Sequence, residues 1–280
     1  MTEVKYNETV EKARNYYNSS DADSFYFNVW GGEDLHIGQY LTEEENIFDA
    51  SRRTVQTMLT MSRRLRKDAR VLDIGGGFGG AARYLAKNVG CRVTVLNLSE
   101  KENERDRQMN KEQGLEHLID VVDGSFEDIP FDDATFDVVW SQDAILHSNN
   151  RDKVVKEAAR VLKPGGEFIF TDPMRSDDTE NSSLQPILDR IHLDTLASPA
   201  TYREDAEKAG LKELNFLDLT PHLPLHYLRV FQETEKIEDQ LKSDYGISDE
   251  YLGNMKKGLK HWVDGGKQGK LAWGVFQFVK

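Results

Sequence analysis

The stretch VLDIGGGFGG, residues 71–80, places five glycines directly after a short apolar run that contains one carboxylate, Asp73. A strand that turns at once into a helix leaves the first N–H groups of that helix pointing at a ligand. Glycines in such a turn leave the main chain bare, so that a ligand can touch it. The stretch therefore predicts a strand, a ligand-binding turn and a helix.

Gly75, Gly77 and Gly80 also satisfy the pattern G-x-G-x-x-G of dinucleotide-binding sites, which is weak evidence when it stands alone. Asp73 does not suit a pyrophosphate, because it would add negative charge beside a ligand that is already negative. It suits a ligand with a cationic group, such as an amine or a sulfonium. Alternatively, Asp73 accepts hydrogen bonds from the N–H groups of the turn itself, and both roles can hold at once.

Around this stretch, short apolar runs alternate with amphipathic ones. Strands are predicted in RVLDIG, RVTVLNLS, LIDVVDG, FDVVWSQ and GEFIFTD, with helices in GAARYLAKNVG, EKENERDRQMNKEQG and RDKVVKEAARVL between them. Two later strands, KELNFLDL and AWGVFQFV, bring the total to seven. Strands that alternate with helices pair in parallel through right-handed crossovers. We expect an α/β fold with a doubly wound, mostly parallel seven-stranded sheet.

Helices are also predicted outside the alternation, at residues 5–20, at 44–66 and near 224–243. The aromatic and glycine-rich segment SFYFNVWGGEDLHIGQY, residues 24–40, has the composition of a loop. Residues 174–200 interrupt the alternation. An insertion there would cover the carboxyl ends of the strands, where open α/β sheets bind ligands.

The predicted organisation is a single domain over residues 1–280. We expect an N-terminal helical lid over residues 1–66 and a ligand-binding core over residues 70–172. Residues 173–280 would then form a cap insertion and the C-terminal part of the sheet.

Composition narrows the possible partners. The formal net charge of −13 disfavours nucleic acid and anionic lipid surfaces. An acidic surface is typical of ordinary soluble proteins and also of proteins in a cytosol rich in salt or osmolyte. The only cysteine, Cys91, cannot form an internal disulfide or a zinc site by itself, and we expect no metal. We predict a cytoplasmic monomer or homodimer without a membrane span.

The glycine stretch resembles the first motif of class I S-adenosylmethionine-dependent methyltransferases, which have a Rossmann-like sheet. DGSFEDIPFDDATFDVVWSQDAILH and EAARVLKPGGEFIFTD continue the resemblance in family order, over residues 70–172. It implies S-adenosylmethionine as cofactor and S-adenosylhomocysteine as product. The cofactor-binding residues that it implies are Tyr26, Asp73, Gly75, Gly77, Asn97, Leu98, Ser125, Phe126 and Gln142.

Three of these residues have a specific implied role. The family usually has Asp or Glu on the ribose hydroxyls where this chain has Asn97, whose amide oxygen can still accept a hydrogen bond. Ser125 and Phe126 would flank the adenine.

The flanking segments narrow the resemblance further. SFYFNVWGGEDLHIGQY, WSQDAILHS, FTDPM, QPILDRIHLD and HWVDGGKQGKLAWG resemble the sarcosine/dimethylglycine N-methyltransferases that make glycine betaine, over most of the chain. This implies a small zwitterionic amine as substrate and a role in betaine biosynthesis and osmoprotection. The alternative acceptor is phosphoethanolamine or another small amine. A phosphate would call for more basic or tyrosine groups than QPILDRIHL offers.

The chemistry of such a reaction sets demands on the residues. Dimethylglycine must attack as the free base, and its quaternary product keeps a positive charge, so an aromatic wall is needed. By resemblance, Tyr17 and Tyr26 close over the sulfonium and the amine, with Tyr16 as an alternative to Tyr17. A packed aromatic lid without a chemical role is the other interpretation.

Asp143 and His147 lie four residues apart after the fourth strand and share one face if a helical turn follows. Asp143 would then hold the imidazole while His147 accepts an amine proton. By resemblance this pair and Tyr17 are the catalytic residues, although a histidine near a strand end is more often structural.

The substrate carboxylate needs a cation. Arg190 and His192 in LDRIHL are the first candidates, unless Asp189 merely pairs with Arg190 on a solvated face. Trp30 and His226 complete the predicted substrate-binding residues.

The sequence disfavours two other classes of function. A nicotinamide-dependent dehydrogenase is disfavoured by Asp73 and by Asn97 in place of an acid. A non-catalytic cofactor-binding protein is disfavoured only weakly, by the intact pair of Asp143 and His147.

Overall fold

A computed structural model describes residues 8–30 and 32–280 of the chain. Seven strands form one sheet in the order β3-β2-β1-β4-β5-β9-β7, and β9 runs antiparallel to both of its neighbours. The predicted mostly parallel, doubly wound sheet is confirmed. Its strands are β1 (Arg70–Ile74), β2 (Arg92–Asn97), β3 (Ile119–Asp123), β4 (Phe136–Gln142), β5 (Leu162–Thr171), β7 (Lys212–Asp218) and β9 (Gly274–Val279). A second, two-stranded sheet pairs β6 (Met174–Arg175) with β8 (Leu271–Ala272).

Helices cover both faces of the large sheet and its carboxyl edge. Among the described residues they are α1 (Glu8–Tyr17), α2 (Ser20–Val29), α3 (Ile47–Met61), α4 (Gly80–Val89), α5 (Glu100–Glu112), α6 (Arg151–Val161), α7 (Gln185–Ile191), α8 (Pro199–Lys208), α9 (His222–Lys236), α10 (Glu238–Ser243) and α11 (Asp249–Lys267). None of these helices is both long enough and apolar enough to cross a membrane.

The strand order reverses direction between β1 and β4, so a crevice opens at the carboxyl ends of these two strands. Asp73 lies in register with Val95 of β2 on one side and with Trp140 of β4 on the other. The carboxylate that the sequence singled out therefore lies at the centre of the sheet, directly below the crevice.

Aromatic packing fastens the antiparallel strand to the sheet. The ring of Phe276 on β9 stacks on Phe170 with centroids 5.2 Å apart and meets Phe216 at 4.4 Å. Phe168, Phe170, Phe276 and Phe278 are all fully buried.

A separate apolar cluster holds the N-terminal helices in place. Phe25 and Val29 of α2 pack with Val230 of α9 and with Leu252 and Leu259 of α11. The lid and the C-terminal helices therefore share one small core, which sits over the crevice.

Two predictions of local structure are wrong in part. The segment 24–40 is not all loop, since α2 includes Ser24–Val29; the Ser19 side chain caps this helix by accepting from the Ala22 N–H. The single helix predicted near 224–243 ends at Lys236, and α10 begins at Glu238.

The longest helix of the described chain, α11, was not predicted at all. It contains Gly253, Gly258, Gly265 and Gly266, which weaken the helical pattern of the sequence. Three of them lie where a Cβ would come within 3.4 Å of a neighbouring side chain, so close packing accounts for them.

We expect the Phe276→Ala variant to lose about 3–5 kcal/mol of unfolding free energy, because it removes a ring from a closely packed stack. Leu214→Ala on the neighbouring strand β7 is the matched control, since Leu214 is 38% exposed. Urea denaturation measures both values. A loss for Phe276→Ala no larger than that of the control would contradict this account of the core.

Candidate active site

Two adjoining cavities open at the carboxyl ends of β1, β2 and β4. The glycine-loop cavity is lined by residues that include Asp73, Gly75, Gly77, Asn97, Leu98, Glu102, Phe126 and Gln142. The aromatic cavity is lined by residues that include Tyr16, Trp30, Arg190, His192, Tyr227 and Trp262. Both are lined by Tyr17, Tyr26, Leu35, His36, Asp143 and His147. These shared residues form a wall between the two cavities.

Asp73 is 1% exposed, and its Oδ2 atom has no hydrogen-bond partner in the described part of the chain. Two N–H groups of the turn are satisfied elsewhere, since Gly75 N–H donates to the Leu96 carbonyl at 2.8 Å and Gly79 N–H to the Gly76 carbonyl at 2.9 Å. Burial, and then the negative charges of Asp106 and Asp34, raise the pKa of Asp73 to about 8. Asp73 is therefore left for a ligand, and a cationic group is what its ionised form favours.

The glycines of the turn are required by close approach. Gly75 has φ +73°, and a Cβ there would lie 2.4 Å from the Cβ of Ala144. Gly77 has φ +54° and would meet only Leu35, at 3.4 Å. The backbone is therefore left bare toward the cavity, as the sequence predicts.

Glu102 is a residue of this cavity that sequence reasoning missed. The Asn97 Nδ2 group donates to Glu102 Oε2 at 2.9 Å, and burial raises the pKa of Glu102 to about 7. The signal was its place in the first turn of α5, just beyond the end of β2. Glu102 supplies beside Asn97 the carboxylate that Asn97 itself lacks.

Of the remaining residues predicted for this cavity, Phe126 and Gln142 line it and Ser125 does not. Ser125 Oγ accepts from the Glu127 N–H at 3.1 Å. Gln142 accepts from the Trp140 indole N–H at 3.0 Å, and its buried Nε2 has no partner among the described residues. The unpartnered Gln142 amide N–H group and the Asp73 oxygen give the cavity one donor and one acceptor for a ligand.

The lid is fastened to α5 at the mouth of the glycine-loop cavity. Arg14 Nε donates to Glu100 Oε1 at 2.9 Å, and Asn18 Nδ2 donates to Glu100 Oε2 at 2.8 Å. These contacts hold α1 against α5 beside the cavity that Arg14 helps to line.

Asp143 joins three segments rather than orienting His147. Its Oδ2 accepts from the Ile37 N–H at 2.6 Å and its Oδ1 from the Trp273 indole N–H at 2.8 Å. These bonds hold it at φ +51°, a conformation that non-glycine residues rarely adopt. The predicted hydrogen bond between Asp143 and His147 is not formed, since Asp143 accepts from Ile37 and Trp273 and His147 Nε2 meets Tyr17 instead.

The partner of His147 is Tyr17. His147 ends a short 3₁₀ turn, and its Nε2 lies 2.8 Å from the Tyr17 hydroxyl. Burial lowers the pKa of His147 to about 4, so the imidazole is neutral at pH 7. Burial also raises the pKa of the Tyr17 hydroxyl, which keeps its proton. Of the two tyrosines that the sequence left open, Tyr17 is the one that meets His147 on the shared wall.

Arg190 is a largely enclosed cation in the aromatic cavity. Its Nη2 donates to the Tyr16 hydroxyl at 3.2 Å, and its guanidinium lies 5.4 Å from the centre of the Tyr16 ring. The buried Nε has no partner among the described residues. Asp189 accepts instead from Gln185 at 2.6 Å, so the alternative pairing of Asp189 with Arg190 is not formed. Arg190 therefore keeps a donor available for an anion.

Of the other predicted substrate-binding residues, two line the aromatic cavity and one does not. Trp30 and His192 line the aromatic cavity, and His192 ends α7 at φ +56°. His226 lines neither cavity: its Nδ1 lies 3.1 Å from the Gly38 N–H and 3.0 Å from the Tyr40 hydroxyl. The structure therefore corrects the assignment of His226, which holds the loop behind the cavity.

His36 is a second missed residue, since nothing marked it within its loop apart from its residue type. It lines both cavities, and its Nε2 lies 3.6 Å from Asp34 Oδ1.

We expect Asp73→Asn to bind S-adenosylmethionine, the cofactor that the sequence resemblance implies, at least about tenfold more weakly, because a charge-assisted bond is lost. In the native chain the affinity should rise from pH 6 to 8, before the α-amino group of the cofactor, whose ordinary pKa is about 8, loses its charge. Below pH 8 the Asp73 carboxyl is largely protonated and must release its proton to meet a cation. Calorimetry measures the affinity, and the pH dependence should be shallower in the variant. Asp120→Asn, on the exposed face of β3, is the control. Equal affinities for Asp73→Asn and native protein would show that Asp73 only shapes the turn.

Comparisons with known proteins show which family the chain belongs to. Residues 72–170 match the family model of a methyltransferase domain. The chain is 57% identical over 273 residues to the sarcosine/dimethylglycine N-methyltransferase of Halorhodospira halochloris, covering 98% of this chain and 97% of that protein. It is 51% identical over 277 residues to the protein of the same name from Aphanothece halophytica, covering 99% of each.

A solved structure extends the similarity to three dimensions. A crystal structure from Galdieria sulphuraria, assigned as a sarcosine dimethylglycine methyltransferase, superposes with a TM-score of 0.89 at 42% identity. The match covers 95% of this chain and 98% of that one. With two relatives above 50% identity along nearly their whole length, the chain belongs to the sarcosine/dimethylglycine N-methyltransferase family.

Proposed function

We propose that this chain transfers methyl groups from S-adenosylmethionine to the nitrogen of sarcosine and dimethylglycine, which gives glycine betaine. The observation that carries the proposal is the wall of Tyr17 and His147 shared by two cavities, with Arg190 in the aromatic one. When bound, the cofactor supplies an electrophilic methyl group on a sulfonium. The unpartnered oxygen of Asp73 and the bare glycine turn fit that cofactor in the glycine-loop cavity.

The aromatic cavity suits a methylated ammonium group. The ring centroids of Tyr17 and Tyr26 lie 5.9 Å apart, and those of Tyr26 and Trp30 lie 5.1 Å apart. Opposite them, Tyr227 stacks on Trp262 with centroids 5.0 Å apart. Aromatic faces attract a cation placed within about 6 Å of their centres. Positive charge that develops on the acceptor nitrogen is therefore stabilised without a counter-ion.

The same cavity disfavours a protonated acceptor before the reaction. An alkylammonium with a pKa near 10 costs about 4–5 kcal/mol to deprotonate at pH 7 in water. In the cavity, Asp143 is occupied by the Ile37 and Trp273 donors, and His147 is neutral. Burial of an ammonium in this cavity removes water from it, which lowers its pKa and favours the free base.

His147 and Tyr17 give the proton of the amine a place to go. With the Tyr17 hydroxyl donating to His147 Nε2, the Tyr17 oxygen can still accept from an amine N–H. We assign His147 as the proton acceptor through this bond. Sarcosine needs this acceptor between its two methylations, because its dimethylated product must lose a proton before the second methylation.

Arg190 takes the carboxylate of the acceptor. Its buried, unpartnered Nε and its Nη2 present N–H groups on one side of the guanidinium, the arrangement that binds carboxylates. A single arginine matches one carboxylate. With the amine against the shared tyrosines and the carboxylate on Arg190, the nitrogen is aligned for in-line attack. A cytoplasmic site of action, as monomer or homodimer, completes the proposal.

A product assay with methyl-labelled S-adenosylmethionine tests the function. Sarcosine and dimethylglycine should both be converted to labelled glycine betaine, while phosphoethanolamine should stay unlabelled. Labelling of phosphoethanolamine alone would overturn the proposal.

We expect His147→Ala to lower turnover of sarcosine about 10²-fold, the usual worth of a proton acceptor. Turnover of dimethylglycine at pH 9 should fall less, because more of that acceptor is already free base. Steady-state rates with both substrates measure the difference, with His117→Ala on the surface as control. Equal losses would argue against a proton-accepting role.

We expect Arg190→Ala to raise the KM for dimethylglycine about tenfold to a hundredfold, because a charge-assisted bond to the carboxylate is lost. An acceptor without a carboxylate, such as N,N-dimethylethanolamine, should be affected much less. Arg92→Ala, an exposed arginine at the start of β2, is the control. A similar rise for both acceptors would place the carboxylate elsewhere.

A further inference from the structure

Gly258 lies in the middle of α11 with its Cα facing the side chain of Arg190 on α7. A Cβ at this position would lie 3.0 Å from Cγ of Arg190 and 3.3 Å from both Cδ and Nε. These separations are shorter than ordinary van der Waals contact. Any side chain at residue 258 therefore pushes the stem of Arg190 by a few tenths of an ångström.

Glycine at this place works against the helix that contains it, since it is the least favourable residue for a helix interior apart from proline. Gly253, one and a half turns earlier in α11, shows the contrast: it is exposed and a Cβ there would meet nothing within 4 Å. Gly258 is buried, and both Gly258 and Arg190 line the aromatic cavity.

The position of the Arg190 guanidinium is set by few contacts. Nη2 donates to the Tyr16 hydroxyl and approaches Met255 Sδ at 3.7 Å, while Nε has no partner among the described residues. A guanidinium with so few contacts moves when the aliphatic part of its side chain is displaced. Binding of a carboxylate by two parallel N–H groups depends on that direction.

We propose that Gly258 is a positioning residue, which leaves the space that lets Arg190 reach the carboxylate of the acceptor. This inference rests on the proposed function, because it takes the ligand of Arg190 to be a carboxylate. Gly258 thereby contributes to the choice of an amino acid over an amino alcohol of the same size.

Binding of two product analogues tests the proposal without relying on turnover. Glycine betaine and choline both carry a trimethylammonium group, but only betaine carries a carboxylate. Calorimetry in saturating S-adenosylhomocysteine gives the ratio of their dissociation constants. We expect native protein and the control Gly253→Ala to prefer betaine equally. Gly258→Ala should raise the dissociation constant of betaine about tenfold, as expected for a lost charge-assisted bond, and leave that of choline unchanged.

A double-mutant cycle separates positioning from a merely structural effect. In the Arg190→Ala background there is no stem to push, so adding Gly258→Ala should not change betaine binding further. The positioning role is wrong if Gly258→Ala weakens the binding of betaine and choline alike. It is also wrong if Gly258→Ala still weakens betaine binding in the Arg190→Ala background. If Arg190→Ala itself leaves the preference for betaine intact, the carboxylate role of Arg190 fails, and with it the proposed function of that residue.

Discussion

A carboxylate buried in the central strand, with one oxygen left unpaired, is the constraint on which this site depends. Burying a carboxylate without a partner is costly, and the pKa of Asp73, raised to about 8, reflects that cost. A ligand cation offsets it in the place where the bare glycine turn lets the ligand approach. Neighbouring charges add to this cost, since those of Asp106 and Asp34, which also raise the pKa of Asp73, are negative.

The shared wall gives the second cavity its chemistry. Tyr17 and Tyr26 line both cavities, so under the proposed function one set of rings would enclose the donor and the acceptor of the methyl group. Both oxygens of Asp143 accept hydrogen bonds, from the Ile37 N–H and the Trp273 indole N–H. The lining of the acceptor cavity also includes aromatic faces and the neutral imidazole of His147. In the proposed function, such a surrounding accepts a free amine before the reaction and a quaternary cation after it, and Arg190 would bind the carboxylate of the same small molecule.

The sequence predicts what depends on local pattern and misses what depends on distant contacts. The alternation of strands and helices and the glycine turn are local, and the structure agrees with both. The hydrogen-bond partner of Asp143 is not local, because Trp273 lies 130 residues away in the sequence. Four glycines weaken the helical pattern of α11 in the sequence. Only the structure shows that three of them are packed closely against other side chains and that Gly253 faces open space. Glu102 was missed because it belongs to a helix rather than to the strand end that the family motif marks.

A crystal structure with S-adenosylhomocysteine and glycine betaine bound together tests the central claim most directly. The account predicts the amino group of the cofactor product on the free oxygen of Asp73, the trimethylammonium group against Tyr17 and Tyr26, and the carboxylate on Arg190. Density that placed the amino group away from Asp73, or betaine outside the wall of tyrosines, would contradict it.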